Sequence, residues 1–306
     1  MKKTLILFVF YFSYLNISIA SYGCDFNFLS YALNAEIIVV GKVIGVEKFF
    51  DEIHQRETTK IKILPAKILK GNVGQDTLNM FYYNSYDKSE LNQILEKKTN
   101  QLIYCFKSHR NKNQTVYTNS CLIKRVDKTT EIRYVKNIKK LLGIAAIEKD
   151  KERVSLFVDW AIDCLSDSIM AYSGIQVLSQ GGILYQYDGK LNTYKRIKKY
   201  RLKKIQKERL LDYLVWKEWY QFYDIAIVDL VGKSSKKVLL YLLKHQLIKT
   251  DLYKPIWWRE FNIMRKIAQI SKNKYLLDLI GEIERLGIYS KDKRLNELAR
   301  EFRVRM

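Results

Sequence analysis

Proline, histidine and cysteine are scarce in this chain of 306 residues, with two, three and four copies respectively. So few histidines, and no Cys-x-x-Cys spacing, argue against a Cys/His metal cluster or a dithiol redox motif. His54, His109 and His245 stand alone among basic or polar residues and read as surface histidines. No HExxH, GxSxG or SxxK pattern occurs, which removes the common zinc-peptidase and serine-nucleophile signatures. Val231-Gly232-Lys233-Ser234 ends like a phosphate-binding loop, but the glycine that would open one falls on Ile227, so it reads as a link between helices. With these motifs missing no cofactor is expected, and because no apolar run past the N-terminal segment is long enough to span a bilayer, no transmembrane segment is expected in the mature chain.

The most informative stretch is MKKTLILFVFYFSYLNISIA. Lys2 and Lys3 form a positive start, Leu5 to Phe12 an apolar run too short to cross a membrane, and Ser18-Ile19-Ala20 a small-x-small cleavage site. This pattern predicts export to the periplasm or the extracellular space, with cleavage near Ala20 and a mature chain starting at Ser21. Export argues against nucleic acid as a partner. The formal net charge is +22; residues 21 to 142 carry 20 basic and 12 acidic side chains, and residues 143 to 306 carry 32 and 20. An excess of this kind can serve an anionic partner, although the Lys-, Ile-, Asn- and Tyr-rich composition already accounts for it as a solvated surface. In an oxidising compartment Cys24, Cys105, Cys121 and Cys164 are expected to form one or two disulfides, with three complete pairings open.

The first half reads as strands. Glu36 to Val46 is β-branched and contains Gly41 and Gly45, which allow a sharp bend. Thr58 to Leu69 alternates around Pro65, which must sit at an edge or a bulge because it has no N–H to donate. Thr77 to Tyr83, Gln101 to Lys107 and Val116 to Val126 complete five candidate strands. The polar run 107–113 makes the last two a hairpin in which Cys105 and Cys121 are possible cross-strand neighbours. Ile132, Val135, Ile138, Leu141 and Leu142 then recur at helical spacing over 130–142. From Lys149 the period is helical. Val154, Leu156, Phe157, Trp160, Ala161, Cys164 and Leu165 predict one long helix ending near Tyr172. Asp188-Gly189 between aromatic runs predicts a β-hairpin over about 182–201, followed by helices from Ile205 on. Shifting Ser234, Lys237, Leu239, Leu240 and Leu242 by 37 positions lands on Ser271, Lys274, Leu276, Leu277 and Leu279, a period that suits HEAT-like helical hairpins or merely shared helical patterning.

A cysteine soon after the leader, Ala35-Glu36-Ile37-Ile38-Val39-Val40-Gly41-Lys42-Val43, Ile68-Leu69-Lys70-Gly71, Leu102-Ile103-Tyr104, Thr118-Asn119-Ser120-Cys121 and a closing helix follow one another in order. Over residues 24 to 142 this order resembles the netrin-like domain of tissue inhibitors of metalloproteinases and their bacterial relatives. The resemblance implies a five-stranded OB-type barrel and a Cys24–Cys121 bridge, which would add about 4 to 5 kcal/mol in the chain-entropy model. Departures are plain: Cys24 has no second cysteine beside it, and Glu90 to Asn100 holds neither Cys nor Gly. With cleavage at Ala20, Cys24 is internal, so its nitrogen is an amide and cannot chelate a protease zinc as the animal relatives' first residue does. The expected fold class is therefore α+β: a signal peptide (1–20), a netrin-like barrel (21–142) and a mainly helical domain with a short hairpin (149–306).

Candidate chemistry in the second half is thin. Asp159, Asp163 and Asp167 recur every four residues along one helix face and read as solvated or paired with basic side chains. Trp216, Trp219, Trp257 and Trp258 lie in helical patterns, where large aromatics are usually core; exposed, they would make a platform for a ligand. The densest basic run offers Lys195, Arg196, Lys198, Lys199, Arg201, Lys203 and Lys204 as an anion-binding surface. With no catalytic constellation in view, the expected function is an exported, non-enzymatic binding or scaffold protein of the cell envelope, its partner an envelope protein or an anionic polymer. The rival is an envelope hydrolase using Asp159 and Asp163.

Overall fold

A computed structural model describes residues 28–52, 56–73, 76–82, 101–105, 117–118, 123–179, 183–188, 193–197, 200–232, 235–249, 258–288 and 293–306. The class is α+β, and the chain divides into two compact units, Met1–Arg153 and Val154–Met306.

The first unit is built on two long strands, β1 (Ile37–Asp51) and β2 (Arg56–Lys70), joined by β3 (Leu78–Tyr82), β4 (Gln101–Cys105), β5 (Tyr117–Thr118) and β6 (Ile123–Arg125) in the order β5-β3-β2-β1-β4-β6. Every pairing is antiparallel except β3 with β5. β1 and β2 do not run in simple register. The ladder slips between Ile38 and Val39, Val40 and Gly41, and Val43 and Gly45, and such bulges bend and twist a strand. Gly41 sits beside one of these slips, and a Cβ there would lie 2.6 Å from the Leu64 carbonyl oxygen. Its partner is Pro65, placed at a slip in the β1 ladder and past the end of the β3 ladder, where its missing N–H breaks nothing.

The core of this unit lies on the inner face of the bent sheet, where Ile37, Val39, Val43, Ile61, Ile63, Leu78, Met80, Ile103 and Cys105 pack together. The opposite face of β1 and β4 is covered too. Ile38, Val40, Leu102 and Tyr104 are buried, with Phe28 of helix α1 (Phe28–Asn34) edge-on to Tyr104 and stacked on Tyr134 of helix α2 (Lys128–Ala145). Burial on both sides explains why β4 is apolar without alternation while β2 alternates. Asp127 caps α2 by accepting from the Thr130 backbone N–H and hydroxyl, which holds its carboxyl below the usual range. The buried stripe of α2 is Glu131, Tyr134, Ile138, Leu141 and Ile144 rather than the one expected from spacing, and Ile132 is exposed. Two contacts turn the helix this way: Tyr134 on Phe28, and an ion pair from Lys67 of β2 to the Glu131 carboxylate.

The division between the units falls in the first turn of α3 (Asp150–Cys164). The expected continuous helix to Tyr172 is broken. Asp167 accepts from the N–H groups of Ile169 and Met170, closing a turn, and α4 (Ala171–Ser179) starts afresh. Gly174 lets α4 approach α3 closely, since a Cβ there would run into the Ala161 carbonyl oxygen. The hairpin β7 (Tyr185–Asp188) and β8 (Thr193–Arg196) follows, with Asp188 opposite Thr193, so the connection is longer than a two-residue turn. Six helices follow among the described residues: α5 (Lys204–Trp216), α6 (Phe222–Val231), α7 (Lys236–Ile248), α8 (Trp258–Ser271), α9 (Lys274–Leu286) and α10 (Lys293–Arg305). From α7 onward each packs on its successor, and Gly232, at φ 95°, ends α6 as the helix link read from the sequence.

Candidate functional site

The acidic face of α3 is a packing surface against α5. Arg209 places one guanidinium nitrogen 2.5 Å from Asp163 Oδ1 and another 3.7 Å from Asp159 Oδ1, and Gln206 Nε2 donates to Asp159 Oδ1 at 3.0 Å. Asp167 is spent on its turn. The three carboxylates of the spacing pattern thus separate into two roles, neither of them an open cluster. No group of three His, Cys, Asp or Glu side chains suited to a metal ion occurs among the described residues. His54 and His109 lie outside them.

Of the basic run, Lys195 and Arg196 fall on β8, Lys198 and Lys199 lie outside the described residues, and Arg201, Lys203 and Lys204 are exposed at the entry to α5, with Lys204 3.7 Å from Glu208. Cys105 is a buried free thiol, 3.8 Å from Met80 Sδ, and burial pushes its pKa up to about 12. Cys164 is buried in α3, and Cys24 and Cys121 lie outside the described residues.

The most organised polar structure is the link 217–221 between α5 and α6. Asp224, fully buried, takes the Tyr213 hydroxyl at 2.6 Å, the Lys217 ammonium at 3.0 Å and the Gln221 backbone N–H at 2.6 Å, so both its oxygens are engaged. Burial, and then the adjacent Asp224 charge, push the pKa of Tyr213 well above that of an ordinary phenol, and the hydroxyl stays protonated. On the other side Gln246 of α7 accepts from the Tyr220 N–H at 3.0 Å and donates to the Glu218 carbonyl at 3.0 Å. Arg259 of α8 donates to the Tyr220 carbonyl at 2.5 Å and to Glu260 Oε1 at 2.9 Å, and lies 3.7 Å over the Trp219 ring. Each contact stiffens the link.

Two tryptophans face solvent at the end of α5 and on this link, beside the exposed Glu218 and Gln221. Trp216 is 85% exposed and Trp219 41%, against the expectation that these tryptophans are core; Trp258 is half-buried against Phe261, and Trp257 lies outside the described residues. The cause is local: Trp216 is the last residue of α5, and on the pinned link the Tyr220 side chain takes the buried position, which leaves Trp219 part-exposed beside the Arg259 guanidinium. Along the outer side of α7, Val238 (43% exposed), Tyr241 (69%), His245 and Ile248 (68%) follow at i, i+3, i+7 and i+10, one helix face, with Tyr241 and His245 stacked at 6.2 Å. The two groups adjoin, because Lys249 donates to the Glu218 carbonyl and Gln246 holds the same peptide. The sequence carries a signal for this face. Residues 231–250 contain five lysines and no Asp or Glu, but apolar residues at every position from Val238 to Leu243 hide which side is outward.

No protein-family model, curated protein or solved structure matches this chain. Among the described residues no helix is long and apolar enough to cross a membrane.

Proposed function

We propose that the chain is an exported, non-enzymatic binding or scaffold protein of the cell envelope, in which a netrin-like barrel is joined to a domain of HEAT-like helical hairpins that carries the contact face. Export rests on the leader ending at Ala20. The barrel reading is supported by the strand order. Its two ends, β5 and β6, are only a few residues apart in sequence, so counting them as one strand turns the order into a ring of five, with β3 beside one end of that strand and β4 beside the other. The bulged β1 with Gly41 fits the strong bend such a ring demands. A Cys24–Cys121 bridge would tie the N-terminal segment to that last strand.

The observation that carries the binding reading is the set of exposed apolar side chains Trp216 at the end of α5, Trp219 on the link, and Val238, Tyr241 and Ile248 on α7, with α7 tied to the link by buried polar contacts. Contiguous apolar exposure of this kind marks interaction surfaces. The engagement of Asp159 and Asp163 by Arg209 and Gln206 supports a packing role for that acidic face over the hydrolase alternative. Photo-reactive benzoylphenylalanine placed at Trp216 in the cells that make the protein is expected to give a covalent adduct, of protein or lipid, that the same group at the exposed Ile132 of α2 does not give. No adduct at Trp216, or equal adducts at both positions, contradicts the reading.

A further inference from the structure

We infer that the face formed by α7 and the Trp216–Trp219 link docks on an anionic phospholipid surface, its aromatic and aliphatic side chains entering the headgroup boundary and its lysines meeting the phosphates. The inference rests on the reading of that face as a contact surface and names what it contacts.

Three observations select lipid. The first is shape: Trp216, Tyr241 and Ile248 are more than two-thirds exposed, so they project from the surface and do not line a groove. Projecting side chains suit a deformable interface, whereas a partner helix needs a groove to lie in. The second is chemistry. Tryptophan and tyrosine combine an apolar body with a polar edge and favour the membrane boundary, and the aliphatic Val238 and Ile248 between them suit acyl chains and offer nothing to a sugar. The third is charge. Lys236, Lys237 and Lys249 are exposed on α7 or at its end, and no acidic residue occurs from 231 to 250; of the acidic residues flanking that stretch in sequence, Asp229 is exposed and paired with Lys266, and Glu218 is exposed on the link. A basic helix with an exposed apolar stripe is the pattern of a helix lying on an anionic membrane, with the stripe shallow in the boundary.

The test is sedimentation of the protein, purified as the cell makes it, with vesicles of phosphatidylcholine alone or mixed with phosphatidylglycerol. Binding to the mixed vesicles is expected, weakening as salt rises. Trp216→Ala combined with Tyr241→Ala is expected to weaken it by about tenfold or more. Lys237→Glu with Lys249→Glu should remove the preference for the anionic vesicles, whereas Lys203→Gln with Lys204→Gln, in the separate basic run, should leave binding unchanged. Circular dichroism of each variant separates lost binding from lost folding, and blue-shifted tryptophan emission on the mixed vesicles, reduced in Trp216→Ala, reports insertion without reference to affinity. Failure of the mixed vesicles to bind at low salt, or binding untouched by the Trp216 and Tyr241 substitutions, overturns the inference. If vesicles fail while Trp216 still crosslinks to a protein, the lipid assignment falls and the contact surface stands; if neither occurs, both fall.

Discussion

Helices α7 and α9 are related by the same 37-residue shift that relates their leucines, and the plainest difference between them is on the outer side. Three inward pairs share burial, Leu239 and Leu276, Leu243 and Ile280, Gln246 and Ile283, while buried Leu247 corresponds to the exposed Glu284. Three of the helices' four outward positions differ, the exposed pair Val238 and Tyr275 being the exception. Val238, Tyr241, His245 and Ile248 of α7 correspond to Tyr275, Asp278, Glu282 and Arg285 of α9. The α9 residues are what an ordinary solvated helix shows; Arg294 reaches Glu282 at 3.4 Å, for example. Packing of stacked helices therefore does not require an apolar outer stripe at these positions, and the one on α7 needs another reason. The second difference is support: α7 ends against the 217–221 link and its buried Asp224, Gln246 and Arg259 contacts, while α9 meets its neighbours through apolar packing and exposed ion pairs.

Breaking the support should have the largest effect. Asp224→Ala leaves the buried Tyr213 hydroxyl and the largely buried Lys217 ammonium without their acceptor, and should cost about 3 to 5 kcal/mol in urea unfolding of the full chain. A loss below about 1 kcal/mol would mean the link is not held as described. Next come the shared inward positions. Leu243→Ala and Ile280→Ala should each cost about 2 to 5 kcal/mol and by similar amounts, because both side chains are buried between successive helices; a large loss in only one would break the correspondence between α7 and α9. Gly281→Ala, in mid-α9 with nothing within 4 Å of the added methyl, should raise stability by about 0.5 to 1 kcal/mol. Destabilisation there would place a neighbour against α9 that the structure does not have.

Much of the fold is legible in the amino-acid sequence. Strand content, the bend at Gly41, the bulge at Pro65, the closing helix and the hairpin near Asp188 follow from local backbone chemistry, and each occurs where that chemistry puts it. The departures share a cause. Spacing marks a stripe but not which neighbour it meets, so α2 turns towards Phe28 and Lys67, and Ile132 is left outside. An apolar run through Leu165 and Ile169 reads as continuous helix, while the Asp167 turn that breaks it depends on one side chain accepting two backbone N–H groups. Trp216 and Trp219 read as core because aromatic residues in helical patterns usually are; α5 ends at Trp216, and Gln246, Arg259 and Asp224, up to 39 positions away, hold the link so that Tyr220 and not Trp219 is buried. Tyr241 is hidden among leucines that face the other way.

The smallest expected change in stability carries the most weight. Giving α7 the outer face of α9, by Tyr241→Asp, His245→Glu and Ile248→Arg together in the chain that carries the photo-reactive group at Trp216, compares a surface with a core in one preparation. The account predicts an unfolding free energy within about 0.5 kcal/mol per substitution of the parent, the range of surface changes, together with loss of the Trp216 adduct. A fall of several kcal/mol would contradict it by making that face part of the packed interior, and an adduct that survives the exchange would contradict it by making the face idle.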